Sequence, residues 1–521
     1  MAVSSYGYII TAFLVIILSA ALKRGRNKDF PLVNSPGWFR PRFLAQIAFL
    51  KNGMQLLSKT RALMDGKPFR LILEGVEVTV LPHRFAHIIR NEDNLDFGSF
   101  VERDFHGRLP GFEPFGFLRH DPQILQTVAR KQLTKHLNTV TEPLSLETTF
   151  ATNLIFGNSP EWQELPIKDA ILDLVARLSS RVFLGDELCR NEEWLKITKE
   201  YTVAAFTAAI KMKAVPMRLR PLLHWFSPDC KRVRNLLVQS RELIGPTIAK
   251  RHAEKQKAAA EGRPLPSFND AIEWADTESG GSEYDPAIFQ LTLSFAAIHT
   301  TSDLLTQTII YLANEPELIT PLRNEVLDVL RAEGWKKTAL YNMKLMDSTF
   351  KETQRMKPGS MLQMRRLAVK DVTLPENITI RRGQMVAVDI QSTTDPVPHQ
   401  DDDKFDIYRF RRMRDQPGEA NKAHLVATSP DHLAFGHGKH ACPGRFFASN
   451  EVKVALSHLL LKYDWRLAPG STSKPIAVGV SRSADPKTRV MFRRRREEMD
   501  IDSLDFGLAG EDAIGVGAAS D

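Results

Sequence analysis

The stretch FGHGKHACPGRFFA, residues 435–448, decides how this chain reads. Cys442 sits among Gly436, Gly438 and Gly444, with Phe435 ahead of it and His440, Pro443 and Arg445 close by. A thiolate that approaches the iron of a flat macrocycle needs backbone freedom beside the ring, apolar cover, and cations for the ring carboxylates. Gly436, Gly438, Phe435 and His440 offer those properties, so the loop reads as a haem-thiolate site. Cys442 is its expected axial ligand to the iron of haem b. A cysteine in a glycine-rich turn is otherwise an ordinary buried thiol, and the rest of the chain decides between the two readings.

The loop closely resembles the cysteine-loop signature of the cytochrome P-450 family: Phe, two residues, Gly, one residue, Arg, one residue, Cys, one residue, Gly. Every position matches except the arginine, where His440 stands. An imidazole is charged near neutrality only where its surroundings favour it, so His440 is a weaker partner for a haem propionate. Arg445, beyond Pro443, does not fill that position.

A long run of helical spacing over residues 284–312 carries a second constellation, FAAIHTTSD, residues 295–303. Polar His299, Thr300, Thr301 and Asp303 interrupt an apolar helix. The stretch resembles the family's oxygen-activating helix, Ala/Gly, Gly, any residue, Asp/Glu, Thr, Thr, with Ala297 in place of the glycine and His299 in place of the acid. The resemblance makes Thr300 the proton-relay threonine. His299 or Asp303 would then be its titratable companion. Alone, Thr300 would be expected to bond back to the helix carbonyl four residues earlier.

The segment KETQRMK, residues 351–357, puts Glu352 and Arg355 on one helical face. It matches the family's Glu, two residues, Arg motif, and Arg409 in FDIYRF matches the arginine that completes a buried network. From the residues, that network has a structural part: it locks the segment presenting Cys442. The family's Trp, three residues, Arg pattern retains only its arginine in residues 126–130, which makes Arg130 a candidate propionate partner.

Composition sets the outer bounds. The chain has 521 residues, 43% of them hydrophobic, enough for a large core. Its three cysteines, Cys189, Cys230 and Cys442, form no disulfide framework and point to a reducing, cytosol-facing environment; Cys189 and Cys230 read as structural. Residues 6–22 are almost wholly apolar, just long enough for a membrane helix, and Lys23, Arg24, Arg26 and Lys28 follow at once. That asymmetry predicts a lumenal amino terminus and a cytosolic body, with a cleaved signal peptide as the rival reading. On this topology the sequon at Asn377 should never be glycosylated.

The net charge is +8, although the last 23 residues hold six acids and no lysine or arginine. The basic body suits an anionic membrane surface and an acidic electron donor; no reader motif suggests nucleic acid. Arg493 to Arg496 read as a solvated edge. Strand-like runs at residues 69–81 and 372–390, helical runs at 231–261 and 284–312, and a polar loop at 276–283 predict a mainly α fold with small β-sheets. This is the P-450 fold that the resemblance implies. The expected organisation is an anchor and basic flank at 1–30, a monooxygenase domain at 31–498 and an acidic disordered tail at 499–521.

The phrases RVFLGDELCRNEEWL, residues 181–195, and FAAIHTT also look like fungal secondary-metabolite members, particularly diterpene and indole-diterpene oxidases. The group implies a membrane-anchored enzyme of the endoplasmic reticulum. It would use O2 and electrons from NADPH, through a separate reductase and with cytochrome b5 as a further donor, to oxidise C–H bonds of a large apolar molecule. The chain itself has no flavin or NADPH fingerprint. Oxidation of a polyketide or polyketide–peptide hybrid is the alternative, and a non-catalytic haem protein a third reading. Apolar segments expected near substrate are residues 109–117, 206–212, 295–297, 360–362 and 477–480.

Overall fold

The computed structural model describes residues 30–35, 42–390 and 404–506. The strand-like run at 69–81 folds as a hairpin of β1 (Phe69–Leu73) and β2 (Val76–Leu81). Glu74 and Gly75 between them take positive φ, 49° and 88°, the left-handed pair that a two-residue turn requires. With β3 (Leu95–Asp96), β4 (Leu362–Ala368) and β5 (Met385–Asp389) they make one sheet, ordered β1-β2-β5-β4-β3 and parallel only between β2 and β5. The run at 372–390 therefore divides. Its first part is a separate hairpin, Val372–Leu374 with Ile378–Ile380, and its last part is β5. Asn377 lies exposed in that hairpin's turn, so burial would not hide the sequon from glycosylation.

Helices supply the bulk: α1 (Arg42–Met64), α2 (Leu137–Phe156), α3 (Ile167–Leu188), α4 (Glu192–Lys213), α5 (Pro228–Ala260), α6 (Ala271–Ser279), α7 (Pro286–Asn314), α8 (Lys344–Met356) and α9 (Arg445–Lys462). α7 begins where Asp285 accepts from the amides of Ala287 and Ile288 at 2.8 and 3.2 Å and Pro286 opens the first turn. It is apolar on nearly every side because α3, α4, α5, α8 and α9 all pack on it. Cys189 and Cys230 are buried and unpaired, and desolvation pushes both thiols up, to about 11 for Cys189, which suits inert structural cysteines.

Three expectations need correction or lie beyond view. Residues 276–279 of the expected polar loop are helical, because Asp270 caps α6, Ile272 and Trp274 are buried, and Gly280 ends the helix in the left-handed conformation. The start of the expected disordered tail is docked: Ile501 is buried, its carbonyl accepts from Trp335 Nε1 at 3.1 Å, and Asp502 pairs with Lys462 at 2.9 Å. The expected membrane segment at 6–22 and the tail from 507 lie outside the described residues. Among the described residues no helix is long and apolar enough to cross a membrane. Of the arginine cluster, Arg493 pairs with Asp464, Arg494 with Glu497 and Arg495 with Glu498.

One buried acid makes a pH prediction. Glu451 on α9 is fully buried with one oxygen bonded by Ser179 Oγ at 2.6 Å and the other unpartnered, and desolvation pushes its pKa up to about 8. Between roughly pH 4.5 and 8 the unfolded chain releases this proton while the native protein keeps it, so stability falls as pH rises, by about 1.4 kcal/mol per unit at most. Glu451→Gln should remove that slope. Melting temperatures of variant and wild type, measured from pH 5 to 8, should diverge in the variant's favour; parallel curves would refute the buried neutral carboxyl.

Candidate active site

The cysteine loop is held by its own backbone. Cys442 N donates to Phe435 O at 2.8 Å, Ala441 N to Gly438 O at 2.9 Å, and Gly436 N to Leu433 O at 2.8 Å. Gly436 and Gly438 take φ of 69° and 75°, and a Cβ on Gly438 would stand 2.5 Å from Arg90 O. Lys439 N donates to the same carbonyl at 3.1 Å, so the close approach is fixed from both sides. We expect Gly438→Ala to cost roughly 2–4 kcal/mol from αL strain and the clash together. Haem content per folded protein is the readout, and wild-type content would disprove the constraint.

Cys442 lies just before α9, and the amides of Gly444 and Arg445 at that helix start face its sulfur. Desolvation pushes the thiol pKa up, while those two amides and the Arg445 guanidinium oppose the rise. Arg445 donates Nη1 to Cys442 O at 2.8 Å; it braces the loop from within. Phe435, half-buried, packs on the core beside it.

α7 packs against α9 and turns one stripe outward: Ala296 and Thr300, four residues apart, are exposed on a helix otherwise mostly buried. Thr300 Oγ1 donates back to Ala296 O at 2.9 Å and Ala297 O at 3.2 Å. His299 points elsewhere, toward the Lys199 backbone on α4, and its Nε2 is buried without a partner. Desolvation holds its pKa below the usual imidazole value, opposed by the Lys199 backbone hydrogen bond. Lys199 also lines a cleft of about 610 Å³ with Asp169, Asp173 and Glu192. Asp303 has a different task. Its carboxylate pairs with Lys357 and accepts from Ala484 N at 2.9 Å, which ties α7 to the segment after α8 and to the strand pair at Ser481–Ser483.

Glu352, Arg355 and Arg409 come together as expected from their motifs. Glu352, fully buried, accepts from Arg355 Nε and Nη2, both at 2.8 Å, from Arg409 Nε at 3.2 Å, and from Asp406 N at 3.3 Å. The same turn reaches the approach to the cysteine loop, because His432 Nε2, three residues before Phe435, meets Gln354 Oε1 at 2.9 Å.

A residue that the sequence reading passed over is Arg366. On β4 it shares the inward row with Leu362, Met364 and Ala368; it is 2% exposed, with its Nε unpartnered and its guanidinium 5.4 Å from the Phe97 ring. Desolvation lowers its pKa to about 10. The signal was available: an arginine in phase with the apolar row of a strand has to be held for something. His440 lies beside it, 6.4 Å from the same Phe97 ring, and burial with the Arg366 charge lowers its pKa to about 4, so it is neutral. Arg130 is exposed on a π-helical turn, Val128–Gln132, and makes no hydrogen bond or ion pair with the described residues. Gln126, at the family's tryptophan position, instead donates to Leu118 O at 2.7 Å.

Known proteins decide what this arrangement belongs to. The family model "Cytochrome P450" matches residues 151–490, which include the α7 stripe, the Glu352 network and Cys442. The chain belongs to the cytochrome P450 family. It is 43% identical to the cytochrome P450 monooxygenase eqxH of Fusarium heterosporum, over 95% of this chain and 96% of that one. It is 44% identical to the cytochrome P450 monooxygenase hepE of Aspergillus oryzae, over 94% and 90% of the two. The retinoic acid bound cyanobacterial CYP120A1 shares the fold, with a TM-score of 0.62 over 86% of this chain and 96% of that one at 17% identity. The protein is a cytochrome P450 monooxygenase.

The family uses haem with a thiolate ligand, dioxygen, and electrons from a redox partner, and this P450's residues fit the group. Cys442 stands at the head of α9, and the buried Arg366 has an unpartnered nitrogen and no ion pair among the described residues, a cation suited to a carboxylate. Apolar segments of the P450 gather as well. Phe105 stacks on Phe115 at 5.0 Å, Phe206 meets both at 4.8 and 5.7 Å, and Phe115 meets Phe295 at 4.8 Å, one turn before the Thr300 stripe. Thr292 Oγ1 pins that group by donating to Pro114 O at 3.1 Å. The segments at 360–362 and 477–480 meet separately, through Met361 N to Val480 O at 2.9 Å.

Proposed function

We propose that this monooxygenase inserts oxygen into an unactivated C–H bond of a large apolar secondary metabolite, a terpenoid or indole diterpene. The aromatic cluster of Phe105, Phe115, Phe206 and Phe295 beside the Ala296–Thr300 stripe carries the reading. It is a polycyclic-sized apolar wall with edge and face contacts, and the Lys213 ammonium, 5.5 Å from the Phe105 ring, is already paired with Asp104 and Glu74.

Bound haem supplies dioxygen activation, with its thiolate favouring O–O cleavage. Cys442 would hold the iron, Arg366 and Arg130 would pair with the propionates, and neutral His440 would donate a hydrogen bond to one of them. The Thr300 hydroxyl would pass a proton from α7 into the site. His299, next to Thr300 in sequence and turned toward the Lys199 backbone on α4, would resupply it, while the phenylalanines exclude bulk water. Asp303 is a clamp in this reading, since Lys357 and Ala484 already use both its oxygens. Electrons would come from NADPH through a separate reductase, assisted by cytochrome b5.

The same reading sets the body at the cytosolic face of the endoplasmic reticulum, anchored by residues 6–22. Its support is an exposed apolar group, Met217, Leu219, Leu222, Trp225 and Phe226, next to the β1–β2 hairpin where the chain from residue 30 joins the body.

The test is an optical titration of haem-loaded protein with terpenoids and polyketides, read as the high-spin shift of substrate arrival. A saturable shift with terpenoids, weakened about tenfold by Phe295→Ala, supports the reading; a shift with polyketides alone refutes it. For the relay, Thr300→Ala should lower product per NADPH at least about tenfold while NADPH consumption continues. An unchanged ratio would remove Thr300 from the relay.

A further inference from the structure

Behind that apolar group lies a polar cleft of about 340 Å³, lined by Arg70, Glu77, Thr79, Arg103, Asp104, His106, Met217, Arg220 and Gln384 among others. Most of its charges are matched. Arg70 pairs with Glu77 at 3.1 Å, and the buried Lys213 takes both Asp104 at 2.9 Å and Glu74 at 3.0 Å. Two cations remain. Among the described residues the Arg103 side chain donates only to Gly383 O, at 2.6 Å, and that of Arg220 only to Val215 O and Lys213 O, at 2.9 and 3.2 Å, with His106 Nδ1 3.5 Å away. Neither forms an ion pair among the described residues; desolvation lowers both their pKa values, and His106 is held neutral, at about 4. Half-buried guanidinium groups facing one cavity, with the nearby carboxylates already engaged by Lys213, favour an oxyanion. The forked donors of arginine suit the tetrahedral oxygens of phosphate.

We propose that this cleft binds the phosphate headgroup of an anionic membrane lipid. The source follows from position. Met217 is both a wall of the cleft and part of the exposed apolar segment whose Phe226 is 77% exposed. Arg70, another wall, donates Nε to the Phe30 carbonyl at 2.9 Å, so the chain leading to residues 1–29 leaves beside the cleft. Acyl chains would lie against the apolar segment while the phosphate reaches Arg103 and Arg220. The site adds headgroup selectivity to the membrane placement proposed above and rests on it.

The test uses the full-length, haem-loaded protein with vesicles of phosphatidylcholine alone or with phosphatidic acid. Wild type should prefer the acidic vesicles about twentyfold, near what two basic side chains contribute at a membrane surface. The double variant Arg103→Gln/Arg220→Gln should lose about that factor and keep only the preference that the basic body itself gives. Gln384→Glu, which keeps an acceptor for the Arg381 amide and adds a negative charge to the cleft, should do the same. Arg218→Gln, on the exposed segment outside the cleft, should cost no more than the roughly fivefold of one surface cation and leave a clear preference. Headgroup preference undiminished in the cleft variants, or lost in Arg218→Gln, overturns the site. Failure to bind phosphatidylcholine vesicles would instead overturn the membrane reading. Inorganic phosphate binding the detergent-held protein as tightly as dihexanoyl phosphatidic acid would overturn the lipid as its source.

Discussion

Cys442→Ser is expected to give a folded protein with no monooxygenase activity. Serine fits the space of the thiol, and what shapes the loop is backbone: the 2.8 Å bond from Cys442 N to Phe435 O, the turns at Gly436 and Gly438, and the Arg445 brace. None of these needs sulfur, so the melting temperature should move by only a few degrees. The cations that would hold a haem, Arg366 and Arg130, are also untouched, and haem should remain bound in reduced amount. What disappears is a thiolate ligand, which the Gly444 and Arg445 amides at the start of α9 are placed to stabilise and which a serine hydroxyl cannot replace at neutral pH. The reduced carbon monoxide spectrum should lose its thiolate character, and turnover should fall by at least about a thousandfold. A variant retaining the thiolate-type spectrum would exclude Cys442 as the ligand.

The parts of this site legible in the sequence are those whose residue types are improbable where they stand. A cysteine just after two closely spaced glycines, and a glutamate with its arginine one turn on, leave few structural alternatives. Arg355 and Arg409 meet Glu352 from sequence positions far apart, yet the motif alone announced their meeting. What the sequence did not disclose depends on direction. His299 and Thr300 are adjacent in sequence but 100° apart around α7, so one faces α4 and the other the exposed stripe. Asp303 looked available until Lys357 arrived from the segment just after α8. Arg366 was hidden by its neighbour: of Arg365 and Arg366 only one can point inward, and the register is set by an irregularity in β4 between Gln363 and Arg366, with Met364 at positive φ. The fold followed the same rule. Long apolar periodicities gave α5 and α7 to within a few residues, whereas the α6 boundary turned on one cap at Asp270.

Glu352→Gln is expected to be the most damaging single substitution away from the cysteine loop. The carboxylate is fully buried and neutralises two guanidinium groups at once, with the Asp406 amide as a further donor. An amide of the same shape keeps one acceptor oxygen, turns the other into a donor facing Arg355 or Arg409, and removes the buried charge that both cations share. Breaking a buried pair in this way costs about 3–5 kcal/mol, a large share of the 5–15 kcal/mol by which domains are ordinarily stable. The damage should reach the haem site because α8 holds the loop through Gln354 and His432, only three residues before Phe435. Haem-loaded protein should therefore fall at least tenfold in yield, with proteolysis appearing near residues 404–440, while Arg355→Lys, which retains the charge but not the two-pronged geometry, should be intermediate. Wild-type haem content in Glu352→Gln would mean that the loop is positioned by its own backbone alone.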